Sequence, residues 1–180
     1  METAREGNSQ ARGYSTHATL ASGLVLWVVG GLVGTIVMDL VLIGTLSAAG
    51  LPPVISFSTI GDTAAGTFAL MGIDMAGGFP LGAAAHYLLG LVLGGAFGAA
   101  VCRVDALRPD TIKKGVVLAV VYIEILSQPI LATSPILLKM TASETLQWFG
   151  VSAVMHLIWG VVLGIVVSYG LLSVVTIADK

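Results

Sequence analysis

Apolar residues run through this chain in four long blocks, about residues 23–46, 81–102, 115–133 and 150–174, and polar or turn-forming residues collect between them. A helix crossing a bilayer core needs roughly 20 mainly apolar residues, because every backbone amide must find its partner inside the segment. The pattern therefore predicts an all-α integral membrane protein with four transmembrane helices and no strand. Residues 1–17 read as a polar tail, and residues 18–180 as a single four-helix transmembrane domain. The apolar run after the tail exceeds the roughly 7–15 residues of a signal-peptide core, so the first helix is read as retained. Between the first two blocks, Ser58 to Met71 is weakly amphipathic and is expected to lie along the interface as a short helix. Pro52-Pro53 and Gly77-Gly78 punctuate its two ends.

Composition sharpens this. Of 180 residues, 56% are hydrophobic and 10% charged, against about a quarter charged in an ordinary soluble domain. A net charge of −2 lacks the basic footprint of a nucleic-acid binder. The single cysteine, Cys102, excludes a disulfide scaffold and a Cys-only zinc site.

The few basic residues set an orientation. Arg5 and Arg12 lie in the tail, while Arg103, Arg108, Lys113 and Lys114 crowd the short connection between the second and third blocks. Residues 50–80 contain no Lys or Arg, and Lys139 is the one basic residue of the other long connection. By the positive-inside bias both termini are cytoplasmic and the two long connections face outward, as expected in a prokaryotic cytoplasmic membrane.

An internal repeat adds an axis. Phe79, His86, Gly90 and Gly94 recur as Phe149, His156, Gly160 and Gly164, each shifted by 70 residues. Two parallel-related hairpins, turned about an axis along the membrane normal, would produce this. Steps of four residues place Gly82, His86, Gly90, Gly94 and Gly98 on one helix face, and Ser152, His156, Gly160, Gly164 and Ser168 on another. Small faces of this kind pack helix against helix.

Ionisable groups inside hydrocarbon are costly and usually face a partner. Four stand at similar depth in the outer half of the predicted helices: Asp39, His86, Glu124 and His156. Two imidazoles with two carboxylates suit a divalent transition metal, zinc, iron, manganese or copper, with the thioethers of Met38 or Met155 as additional ligands. The same residues admit three other readings. Asp39 with His86 and Glu124 with His156 would be hydrogen-bonded locks; His86 and His156 would be axial ligands of one b-type heme; or the layer would be part of a proton or metal-ion pathway. The heme reading is weakened by the carboxylates at the same depth and by the lack of an intramembrane Arg for the propionates.

No nucleophile arrangement or phosphate-binding loop stands out, so no catalytic activity of its own is expected. Trp148, Trp159 and Tyr87 read as interfacial or packing aromatics, and His17 as a solvated tail residue. The sequence favours an accessory or structural subunit of a larger membrane complex of the oxidoreductase type. Its partners would be lipids and other membrane subunits or further copies of itself, with no nucleic acid. An ion transporter or channel, and a heme-binding electron-transfer subunit, are the alternatives.

Overall fold

The computed structural model describes residues 27–178, with side chains to residue 171. The tail with Arg5, Arg12 and His17, and Gly23 at the start of the first block, lie outside the described residues. Five α-helices follow in order: α1 Trp27–Ala48, α2 Ile55–Leu70, α3 Phe79–Arg103, α4 Ile112–Leu137 and α5 Ala142–Ala178. Among the described residues there is no strand. A single 3-10 turn, Asp105–Leu107, lies between α3 and α4. Helices α1, α3, α4 and α5 are each long and apolar enough to cross a membrane, and the chain is an integral membrane protein. Large apolar side chains such as Leu88, Val92 and Ile125 cover their outer faces.

Glycine decides which helices touch. On α1, Gly31 meets the backbone of Gly90 and Gly94 on α3, where a Cβ added to Gly94 would stand 2.7 Å from Gly31 Cα. One turn toward the start of α1, the side chain of Trp27 lies against Gly98. The other flank of α1 faces α5: Trp159 Nε1 donates to Gly31 O and to Thr35 Oγ1, each at 3.1 Å, and Gly30 rests on Leu163 and Val166. Helix α5 in turn packs on α4, with Gly164 against Val116 and Gly160 against Val120, whose Cα would be 2.8 Å from an added Cβ. Without a hydrophobic drive between helices in lipid, this close backbone approach and its dispersion contacts hold the bundle together. All five packing glycines expected from the sequence, Gly90, Gly94, Gly98, Gly160 and Gly164, lie at such contacts.

Helix α3 touches α4 more thinly, through Tyr122, whose hydroxyl donates to Leu93 O at 2.9 Å and whose ring lies 5.2 Å from that of Phe97. The space left beside this contact is occupied by α2. That helix joins the bundle rather than lying alone along an interface: Phe57, Gly61 and Thr63 are buried, Gly61 meets Gly78 and Gly82, and Thr63 Oγ1 donates to Ser134 Oγ at 2.9 Å. The cause is the close approach that Gly61 and Gly82 allow, since a Cβ on either would strike the facing backbone.

Two helix ends differ from the sequence expectation for identifiable reasons. Helix α5 begins at Ala142, two turns before residue 150, because Thr141 and Glu144 form a reciprocal cap: Thr141 N donates to Glu144 Oε2 at 2.7 Å and Glu144 N to Thr141 Oγ1 at 3.3 Å. Helix α4 runs through Pro129 and Pro135 to Leu137. Proline at 135 removes the amide that would serve Leu131 O, and the indole of Trp148 supplies the missing donor at 3.1 Å.

Candidate functional site

The i+4 row Gly31, Thr35, Asp39 on α1 faces the row His86, Gly90, Gly94 on α3. Because the glycines hold the backbones together, the turn after Thr35 and Gly90 brings Asp39 against His86. Asp39 Oδ1 lies 2.9 Å from His86 Nε2. The carboxylate is 4% exposed, and its Oδ2 is buried with no hydrogen-bond partner. Two aromatic rings stand edge-on to the imidazole: Phe57 of α2 at 5.6 Å and Tyr87 at 6.0 Å. A carboxylate withdrawn from water is tolerable only when paired, and the imidazole provides that pairing from the neighbouring helix.

His86 also forms part of the wall of a cavity of about 500 Å³ to which all five helices contribute. At the end nearer Gly31 it is lined by Thr35, Gly90, Leu93, Ile123 and Trp159. Beyond them the bundle is closed by Leu163, Val167, Phe97 and Ala119, all buried, so the cavity is blind on that side. Helix α2 contributes one wall through Ser56, Ile60, Thr63, Ala64 and Thr67. The lining is mainly hydrocarbon, and no Lys or Arg belongs to it. Most of its hydroxyls are already engaged within the chain: Thr35 with Gly31 O, Thr63 with Ser134, Thr67 with Thr63 O, and Ser127 with Glu124 O.

His156 joins the same wall from α5, with Ser152 one turn before it. Its Nδ1 is buried without a partner, a state that costs about 1–3 kcal/mol for a group of this kind. Met38 and Met155 line the cavity as well. The structure thus gathers four of the six residues singled out in the sequence, His86, His156, Met38 and Met155, around one space, with Asp39 behind His86.

Glu124 stands apart. The contact of Val120 with Gly160 places Glu124 and His156 each one turn away from it in the same direction on facing helices, yet no hydrogen bond or ion pair joins them among the described residues. Glu124 is half-buried and is not part of the cavity lining. Of the two locks expected from the sequence, Asp39 with His86 forms and Glu124 with His156 does not. Among the described residues no three His, Cys, Asp or Glu side chains come together as a metal shell.

Sequence reasoning missed the cavity and the part α2 plays in it. The available signal was the run of small hydroxyl residues at helical spacing, Thr59, Thr63 and Thr67 on α2 with Ser127 and Ser134 on α4, more polar than lipid-facing positions require. Trp159, read as an interfacial or packing aromatic, is 2% exposed and bridges α5 to α1. Comparison of the chain with protein-family models, with curated proteins and with solved structures finds no match.

Proposed function

We propose that this chain is a small membrane protein that holds a largely hydrocarbon molecule, drawn from the surrounding bilayer, in the cavity among its five helices. The observation that carries this reading is the cavity itself. About 500 Å³ of mostly apolar space, with His86, His156 and Ser152 among the few lining side chains that keep a polar atom unpaired within the chain, has the size and lining of a small-molecule site. The closed end at Thr35, Gly90 and Trp159 favours a binding site over a continuous ion path. The equivalent contacts of Gly94 with Gly31 and of Gly164 with Val116 support a duplicated hairpin as the origin of the bundle. In the orientation given by the basic connection, the cavity lies toward the exterior side. An accessory place in a larger membrane complex is compatible with this reading and would use the apolar outer faces.

The test uses the two tryptophans in the wall. Trp148 and Trp159 line the cavity, whereas Trp27 does not. A bromoalkane titrated into the protein in lipid nanodiscs should quench the fluorescence of the first two saturably, and Ala64→Phe, which fills part of the space, should remove the saturable component. Quenching that is linear and identical in both proteins would overturn the reading.

A further inference from the structure

Resting on that reading, we infer that the occupant is an uncharged lipid carrying one neutral oxygen at its end, a long-chain alcohol or ketone, with that oxygen held between His86 and His156.

The argument begins with charge. A head group with net charge needs a counter-charge in a low-dielectric site. No Lys or Arg lines the cavity to receive an anion. Neither nearby carboxylate belongs to the lining: Asp39 is bonded to His86 and stands behind it, and Glu124 lies outside the wall, so a cation would meet imidazole instead. Carboxylates, phosphates and amines are therefore disfavoured by the same set of residues.

Next comes the hydrogen-bonding pattern. Nε2 of His86 is committed to Asp39. An Asp/His pair kept electrically neutral, whichever partner holds the shared proton, carries its other hydrogen on Nδ1, so His86 presents a donor. Among the described residues that Nδ1 makes no hydrogen bond, and neither does His156 Nε2. His156 and Ser152, on one face of α5, are each able to donate or accept. Every other polar group needed to close the wall already has a partner within the chain, apart from Ser56 on α2. An oxygen acceptor from the occupant fits the donor of His86, and the rest of the wall asks only for hydrocarbon. A plain alkane would fill the space and leave these groups unanswered.

Native mass spectrometry of the protein released from detergent separates the outcomes, with hexadecanol, 2-hexadecanone, hexadecane, palmitate and hexadecylamine as probes. The alcohol and the ketone should occupy the protein about tenfold more tightly than hexadecane, the effect of one good neutral hydrogen bond, and palmitate and hexadecylamine should not exceed hexadecane. His156→Phe should lower the alcohol toward the level of the alkane, with the bond to His86 left, while hexadecane still binds, a pattern that misfolding cannot give; Ser152→Ala should move the same ratio in the same direction. Equal binding of hexadecanol and hexadecane would overturn the assignment of a neutral oxygen and leave the cavity reading standing. Preference for palmitate or hexadecylamine would overturn it also. Binding of none of the five would overturn both.

Discussion

His86 Nε2 lies 2.9 Å from Asp39 Oδ1 across the seam between α1 and α3. The pair sits one turn beyond Thr35 and Gly90, and Asp39 two turns beyond Gly31, whose backbone meets Gly90 and Gly94, so it closes a seam already fixed by backbone approach. Removing His86 leaves the buried Asp39 carboxylate without its imidazole, and removing Asp39 leaves a half-buried imidazole at the cavity wall without its acceptor. His86→Ala and Asp39→Ala should each destabilise the folded protein by about 1–3 kcal/mol. The double variant should cost clearly less than the sum, while combining either with Glu124→Ala should be additive. Unfolding titrations in mixed micelles measure all of these. Additivity within Asp39/His86 would mean that the bond contributes nothing to stability.

Gly94 and Gly95 are neighbours in sequence with opposite surroundings. A Cβ on Gly94 would stand 2.7 Å from the Gly31 backbone, whereas one on Gly95 would meet only Val28 Cγ2 at 3.5 Å. Gly94→Ala should therefore push α1 and α3 apart at a cost of about 1–3 kcal/mol. Gly95→Ala should be neutral or stabilising by up to about 1 kcal/mol, since alanine is the better helix former. Thermal unfolding of the two variants side by side checks this, and similar midpoints would mean that the seam is looser than described.

Trp148 and Pro135 form a second testable couple. The indole donates to Leu131 O at 3.1 Å, the carbonyl that proline at 135 deprives of its helical partner. Trp148→Phe should cost about 1–3 kcal/mol by leaving that buried carbonyl unpaired. In a Pro135→Ala background an amide is restored to the same oxygen, so the further change Trp148→Phe should lose most of its effect. An undiminished penalty would show that the indole acts through ring packing alone.

The helices and their packing faces were legible because both follow from local rules. Long apolar blocks have one solution in lipid, and glycine at every fourth position marks where a neighbour approaches. Asp39 with His86 was legible for the same reason, as two costly groups on the same four-residue rows as Gly31 and Gly90. The early start of α5 was also written in the chain, as Thr141 and Glu144 at cap spacing, but an apolar block hides a polar first turn. The continuation of α4 past Pro135 was not legible, since it depends on an indole from another helix. Nor was the cavity. It arises because α3 and α4 meet mainly at Tyr122 and because α2 enters beside them, a relation among three helices that no single periodicity records. The apartness of Glu124 from His156 belongs to the same cause, since His156 turns to the cavity wall while Glu124 lies outside it.

The orientation of the whole assembly rests on four residues. Arg103, Arg108, Lys113 and Lys114 lie at or between the ends of α3 and α4, and no Lys or Arg occurs from residue 50 to residue 80. Asp110, 3.8 Å from Lys114, does not cancel the bias, because acidic residues contribute little to the positive-inside effect. The connection around Arg108 should thus be cytoplasmic and the one between α2 and α3 exterior. With the native thiol removed as Cys102→Ser, Met75→Cys should react with a membrane-impermeant maleimide on intact cells, since Met75 is exposed in that connection. Ala106→Cys, exposed in the 3-10 turn, should react only after permeabilisation. The reverse pattern would invert the protein and turn the side of the cavity bounded by α2 toward the cytoplasm. The proposed occupant would then enter from the inner leaflet, while the internal contacts of His86, His156 and Asp39 would be unchanged.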